Sequence, residues 1–254
     1  VRVATAAARD ALSDIPVIPL LADGDINGDY TQGIIDTMIA VGSRYIDPTI
    51  PPDADRVNIV AEKNLATNTE ANFLTIRELL DALGVRVNCR FIRQCTTTQL
   101  MHLLRGRVNL LASSDVYGRT VRDFLIDRYQ AAFLPGAFPV GFHATATWLR
   151  DLAGIFGNAP VAEEIVVRYR RAYDAGIAAL RPALAGKRLF IVTQNHQIDW
   201  VLDTAWDLEM EIVKVGILAS TWDDTFATRY AGRFPLALDY TREMRDEELR
   251  ARRI

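Results

Sequence analysis

Apolar runs of strand length alternate with helix-period segments along the whole chain, and this alternation most constrains how it can fold. The strand-length runs are Ile15–Leu21, Val57–Ala61, Val85–Ile92, Val108–Ala112, Ala131–Leu134, Leu189–Thr193, Glu211–Val215 and Pro235–Leu238. Several are apolar on successive residues, as strands covered on both faces of a parallel sheet must be. Between them, i, i+3, i+4 spacing predicts helices over Ile34–Gly42, Thr69–Leu83, Thr97–Arg105, Val116–Tyr129, His143–Phe156, Val161–Leu184, Ile198–Leu208 and Asp223–Ala231. Gly84 stands where a glycine would end the helix before it, and Thr96–Thr98 can cap the next one. Strand, helix, strand at this spacing predicts βαβ units with right-handed crossovers. The predicted class is α/β, with Rossmann-like parallel-sheet domains.

Two seams divide the pattern. Asp47–Asp55, with Pro48, Pro51 and Pro52, reads as an interdomain linker, and Arg181–Lys187, with Pro182 and Gly186, ends the longest helical pattern. They predict the end of one α/β domain over 1–55, a second domain over 56–185 and the start of a third over 186–254. Val1 rather than Met opens the chain, Arg2–Leu12 has no clear start, and Glu247–Ile254 stops inside a charged helical pattern. The chain therefore reads as a segment of something larger, cut at both ends.

Composition narrows the partners. With 254 residues and 50% hydrophobic content, the chain can bury a core and is not a disordered polymer. A net charge of −3 gives no electrostatic reason to bind nucleic acid or an anionic membrane. No run is long and apolar enough to span a bilayer, and no signal peptide opens the chain. Two cysteines, Cys89 and Cys95, make no disulfide framework, so the expected setting is reducing and cytoplasmic.

The chemistry-bearing residues gather after predicted strands. No G-x-G-x-x-G or G-x-x-x-x-G-K-[ST] is present, which argues against a dinucleotide-binding dehydrogenase or a P-loop enzyme. The loop Asp23–Gly33, with Asp25 and Asn27, follows a strand-length run, where open α/β sheets make ligand contacts; a tight turn using Gly28 and Gly33 is the competing reading. Its aspartates lack the spacing and terminal Glu of an EF-hand. Cys89 shares strand parity with Val85, Val87 and Phe91 and reads as a buried structural thiol, whereas Cys95 lies past the strand end and reads evenly as structural or as a site residue. Ser113, Ser114 and Asp115 follow another strand, with capping of the helix from Val116 as the bland alternative. His102 reads as a partly exposed helix residue and His143 as a capping or orienting one. His196, beside Asn195 at the end of a predicted strand, can donate to an anionic cofactor or substrate group and is the first choice as proton donor. No metal-ligand set is assigned.

The run Val57-Asn-Ile-Val-Ala-Glu-Lys-Asn64, the helix ending Leu79-Leu-Asp-Ala-Leu-Gly-Val85, and Val87-Asn-Cys-Arg-Phe91 together resemble the nitrogenase component 1 family. In the same order follow Asn109-Leu-Leu111, Phe138-Pro-Val-Gly141 with Thr145 and Leu149, Gly186-Lys-Arg-Leu-Phe190, and Leu208-Glu-Met-Glu-Ile-Val213. That family includes the nitrogenase α and β chains, cofactor-assembly scaffold proteins and dark-operative protochlorophyllide reductase subunits. The resemblance covers nearly the whole chain and rests on order and spacing rather than on one diagnostic motif. It implies repeated α/β domains of which this segment holds part, with the cluster-bridging cysteines upstream of Val1.

Departures from the family pattern bear on subtype. The Ile26-Asn-Gly28 turn with Gly33 and Met38, and Phe138–Gly141, look β-type. Where nitrogenase α chains carry a histidine near the substrate this sequence has Ile34, and where they carry a cofactor-anchoring cysteine it has Ser113, a poor iron ligand. The cofactor-contacting arginine falls near His196. The resemblance thus implies a β-type or divergent nitrogenase-like subunit, in an α2β2-like assembly with a homologous α-type subunit. It implies an iron–sulfur cluster in the intact complex and electrons from an ATP-dependent iron–sulfur reductase, with the segment inactive alone. Asp25, Asn27, Asn64, Cys95, Ser113, Ser114 and Asn195 would contact the cofactor or substrate, and His196 would be catalytic. A non-catalytic scaffold for cluster assembly is the alternative, and a two-lobed solute- or metal-binding protein is a third.

Overall fold

The computed structural model describes residues 2–12, 15–20, 30–63, 66–193, 197–218 and 228–252. The chain forms two compact units: Val1–Phe138 with Ile155–Gly157, and Pro139–Gly154 with Asn158–Ile254.

The first unit opens with helices α1 (Arg2–Ala11) and α2 (Tyr30–Tyr45). It continues as β1 (Arg56–Val60), α3 (Thr69–Ala82), β2 (Arg86–Arg90), α4 (Thr97–Met101), β3 (Val108–Leu111), α5 (Val116–Tyr129) and β4 (Phe133–Ala137). All four strands are parallel, in the order β2-β1-β3-β4. Strand order reverses between β1 and β3, which makes this a doubly wound sheet with its crevice outside the carboxyl ends of those two strands. Alternation along β2 separates its faces. Cys89 and Phe91 join the core built with α2, α4 and α5, around Ile35, Met38, Leu100, Val121 and Leu125. Arg90 instead lies over the Phe73 ring of α3, 3.7 Å from its centroid.

Local signals in the sequence act as expected at two helix ends. Gly84 has φ +71°, its N–H donates to Asp81 O at 3.0 Å and the Val85 N–H donates to Leu80 O at 2.9 Å. This is a Schellman closure, and β2 begins two residues later. Thr96 accepts from the Gln99 N–H while Gln99 accepts from the Thr96 N–H, a capping box at the start of α4.

Other expectations are corrected. Residues 15–20 carry no strand: Ile15 is 59% exposed, and a strand needs a neighbour for its backbone hydrogen bonds. Of the helix expected over Asp223–Ala231, residues 223–227 lie outside the described residues, 228 is irregular and 229–231 form turns. The single helix expected over Thr97–Arg105 divides at His102 into α4 and a 3-10 turn, Leu103–Arg105. The cause lies far away in sequence. His102 O accepts from Asn88 Nδ2 at 3.0 Å and Leu103 O from Asn58 Nδ2 at 2.8 Å, while each also accepts a backbone N–H three residues on, so the side chains of β1 and β2 fasten the tighter 3-10 turn to the sheet.

Those amides belong to a ladder across the sheet. Asn88 Nδ2 donates to Asn58 Oδ1, Asn58 Nδ2 donates to Asn109 Oδ1, and Asn109 Nδ2 donates to Ala132 O, each at 2.8 Å. All three asparagines are buried. Asn58→Ala leaves Asn109 Oδ1 and part of the Asn88 amide unmet, and is expected to cost about 2–3 kcal/mol in the urea unfolding of the full-length protein. A loss below about 0.5 kcal/mol would show that water replaces the ladder.

The second unit holds α6 (Phe142–Phe156, its last two residues grouping with the first unit) and α7 (Ala159–Leu184). Then come β5 (Arg188–Thr193), α8 (Asp199–Asp207), β6 (Glu211–Ile217), β7 (Leu236–Ala237) and α9 (Arg242–Arg252). Its strands are parallel in the order β5-β6-β7, and α8 buries Leu202 against Val215 and Ile217 of β6. Tyr240 packs against Gly216 and donates to Glu248 at 3.0 Å, while Glu248 also pairs with Lys214; these contacts tie α9 to β6.

Candidate functional site

In the first unit the switch crevice is the place where a ligand would sit, and its two flanking loops are tied together. After β1 comes Ala61 with φ +61°, then Glu62 and Lys63. After β3 come Ser113, Ser114 and Asp115. The Lys63 ammonium meets the Asp115 carboxylate at 2.8 Å, closing one side of the crevice. Asp115 also caps α5, accepting from the Gly118 N–H at 3.0 Å, so the capping expected of this loop is its structural role. Ser113 is half-buried and Ser114 exposed, both at the crevice. Below them the Tyr117 hydroxyl donates to Glu62 O at 3.3 Å, which holds α5 against the end of β1.

Sequence reasoning missed the strongest electrostatic feature of this edge. Arg90 donates through Nε to Glu62 Oε2 and through an Nη to Glu62 Oε1, both at 2.8 Å, in a bidentate pair whose two side chains are almost fully buried. The remaining donors reach Glu70 at 2.9 and 3.2 Å and Gln94 at 2.9 Å. The guanidinium beside Glu70 holds that carboxyl below the usual glutamate range. With every donor met, the network serves the fold and offers no free charge to a ligand. Its carboxylate partners stand 28 and 20 residues from Arg90, beyond any local pattern.

Cys95 is half-buried and packs on the core that holds Cys89. The Cys89 thiol, with the Ile92 and Arg93 N–H groups and against burial, brings the Cys95 thiol down to about 6. The Cys95 thiol and burial push Cys89 up. Ile92 has φ +51°, which turns successive N–H groups into the kind of concavity that favours an anion. Asp25, Asn27, Asn64, Asn195 and His196 lie outside the described residues.

The second unit carries a cleft of about 300 Å³ among α6, α7, α8 and residues 229–230 that sequence reasoning did not anticipate. His143 Nε2 lies 2.9 Å from Asp207 Oδ2, which also accepts from the Tyr173 hydroxyl at 2.7 Å. Burial raises the Asp207 carboxyl, but the bonds from Tyr173 and His143 outweigh it and hold the group below the usual aspartate range. Burial and the same carboxylate push Tyr173 up to about 12. His143 thus links α6 to α8. Asp203 pairs with Arg229 and Tyr230, and Arg150 with Glu163. The cleft's charges largely satisfy one another across helices and fasten α6 and α7 to α8.

The fit of an iron–sulfur cluster can be tested on these donors. Among the described residues no group of three or more His, Cys, Asp or Glu is placed to hold a metal ion. Cys89 is buried in the core and Cys95 packs against the same core. The described residues therefore do not supply a cluster's ligand set.

Residues 1–251 match the family profile described as nitrogenase component 1 type oxidoreductase. The chain belongs to this family. Among relatives in the nitrogenase component 1 family, it is 25% identical over 230 residues to the nitrogenase iron–molybdenum cofactor biosynthesis protein NifE of Klebsiella pneumoniae, covering 85% of this chain and 49% of that protein. It is 28% identical over 231 residues to NifE of Rhizobium meliloti strain 1021, covering 83% and 44%. It is 26% identical over 176 residues to the light-independent protochlorophyllide reductase subunit N of Rhodopseudomonas palustris strain TIE-1, covering 64% and 40%. The chain therefore spans about half or less of the length of these relatives. Its fold superposes on a nitrogenase Cp1 structure at pH 5 with TM-score 0.70 and 12% identity, over 99% of this chain and 57% of that one. The α/β class and the family resemblance are both established. Among the described residues no helix is long and apolar enough to cross a membrane.

Proposed function

We propose that the full-length protein is a cytoplasmic scaffold subunit on which a metal–sulfur cluster is assembled and then handed on. The observation that carries this reading is the similarity to NifE proteins named for iron–molybdenum cofactor biosynthesis, over 85% of the chain in the Klebsiella pneumoniae protein. The cluster is cargo on this reading, and its principal cysteine ligands lie outside the 254 residues. The segment comprises the end of one α/β domain (1–55), a second (56–185) and part of a third (186–254). It pairs with a homologous subunit in an α2β2-like assembly. The loops after the strands border the cargo, with Ser113 and Ser114 at the switch crevice and Asp25, Asn27, Asn64 and Asn195 as further contacts. His196 is the proposed proton donor.

A second reading, a nitrogenase-like reductase subunit fed by an ATP-dependent iron–sulfur reductase, is favoured by the similarity to protochlorophyllide reductase subunit N. Anaerobic purification of the full-length protein with its partner subunit separates the two. Bound iron and sulfide, transferred stoichiometrically to an acceptor without turnover, is the expected result. Repeated ATP-dependent turnover would replace the scaffold reading with the reductase reading, and an iron-free complex would overturn both. His196→Ala is expected to slow transfer or turnover several-fold; unchanged rates would remove it from the chemistry.

A further inference from the structure

We infer that the cleft of the second unit binds a small phosphate monoester, with Arg170 as the cation that receives its phosphoryl group. The cleft is built from one face of each of two helices. His143, Thr147 and Arg150 of α6 stand at i, i+4 and i+7, and Asp203 and Asp207 of α8 at i and i+4. Arg170 of α7 also lines it. At about 300 Å³ the cleft lies at the small end of the range for ligand pockets, which suits a metabolite-sized molecule. Most of its charges are committed to one another. Arg229 pairs with Asp203, Arg150 donates through Nε and one Nη to Glu163 at 2.5 and 3.1 Å, and Asp207 is taken by His143 and Tyr173. Arg170 is the exception. Among the described residues its ion-pair partner is Asp174, 4.0 Å away on the same helix, and at 45% and 61% exposure such a pair holds little.

The Arg170 guanidinium is nevertheless held in place. Its carbon lies 4.5 Å from the centroid of the Phe142 ring, and Phe142 stacks in turn on Tyr173 at 4.9 Å with the planes 20° apart. Tyr173 is anchored through its hydroxyl to Asp207 at 2.7 Å. A guanidinium resting on a fixed aromatic ring has less side-chain freedom to lose on binding, and its N–H fork remains for an oxyanion, which it meets with two parallel hydrogen bonds. Arg150 lines the same cleft from α6 and keeps one Nη that Glu163 does not take. A phosphate monoester carries close to two charges and three terminal oxygens, so it can serve donors from both helices, whereas a carboxylate brings one charge and two oxygens. The organic part of the ester then lies toward Trp206 and Tyr230, whose rings stand 4.2 Å apart in the cleft wall and supply its apolar surface. The assignment holds whether the protein assembles a cluster or reduces a substrate.

The test uses the full-length protein with its partner subunit, in chloride buffer free of phosphate and sulfate, titrated calorimetrically with phenyl phosphate, inorganic phosphate and benzoate. Phenyl phosphate should bind saturably with Kd at or below about 1 mM, and several-fold tighter than either of the others. Arg170→Ala should weaken phenyl phosphate at least about tenfold. Arg170→Lys should also weaken it several-fold, because lysine keeps the charge but not the fork. Arg171→Ala removes an exposed cation of the same helix that does not line the cleft, and should leave the affinity unchanged. The ranking of the three ligands on the wild-type protein decides even where a variant fails to fold. Absence of saturable phosphate binding, benzoate binding as tightly as phenyl phosphate, or equal losses in Arg170→Ala and Arg171→Ala would overturn the inference. Inorganic phosphate binding as tightly as phenyl phosphate would overturn the ester, in favour of a bare anion.

Discussion

Arg90→Ala is expected to destabilise the full-length protein by about 3–5 kcal/mol, read as a lower urea midpoint by circular dichroism. The change removes a guanidinium that satisfies both oxygens of Glu62, a carboxylate whose side chain is 2% exposed. Left alone, Glu62 must either take up a proton or hold a buried charge with no partner, and both are costly. The loss exceeds that of a surface pair, about 0–1 kcal/mol, because water cannot replace the missing donors. Glu70→Ala should behave as such a surface pair, since the Glu70 side chain is 48% exposed. The double change Arg90→Met with Glu62→Leu should recover most of the stability by replacing both charges with apolar volume. A loss under about 1 kcal/mol for Arg90→Ala would mean that water reaches Glu62.

Gly118→Ala is expected to be destabilising although alanine is the better helix former. Propensity favours alanine by about 1 kcal/mol within a helix. Against that, a Cβ at Gly118 would lie 1.7 Å from the Ser113 carbonyl oxygen and 2.8 Å from its carbon. The obstacle is backbone, held by the Asp115 cap and by the end of β3, so no side-chain rotation relieves it. Overpacking typically costs about 1–3 kcal/mol, and a backbone clash this close belongs at or above the top of that range. The net expectation is a loss of about 2 kcal/mol or more in the full-length protein. The shift would also move Ser113 at the crevice and loosen the cap on α5. A stability equal to or above wild type would show that α5 slides away without cost.

Much of the fold was legible because its signals are local. The α/β class followed from strand-length apolar runs separated by helical periods, and α5 ran over the expected Val116–Tyr129. Gly84 and Thr96 marked helix ends through residues within a turn of them. Cys89 was readable as buried from its parity along β2. The edge of the sheet was less legible. Ile15–Leu20 has the composition of a strand, but composition cannot supply a hydrogen-bonding neighbour. The Thr97–Arg105 pattern is helical by period, yet amides 14 and 45 residues away fasten the tighter turn that divides it.

The candidate site divides in the same way. That Ser113–Asp115 would lie at a strand end followed from the apolar run before it, and the family resemblance followed from the order of short motifs. Which strand end faces which was decided by the order β2-β1-β3-β4, which brings Lys63 to Asp115 and leaves Cys95 on the core. The pairing of Arg90 with Glu62 and of His143 with Asp207 joins residues 28 and 64 apart. Sequence by itself determined what each segment prefers, since periodicity, caps and glycines act over a few residues. Only the tertiary structure decided which charges are buried together, because that depends on where parallel crossovers deliver distant strand ends.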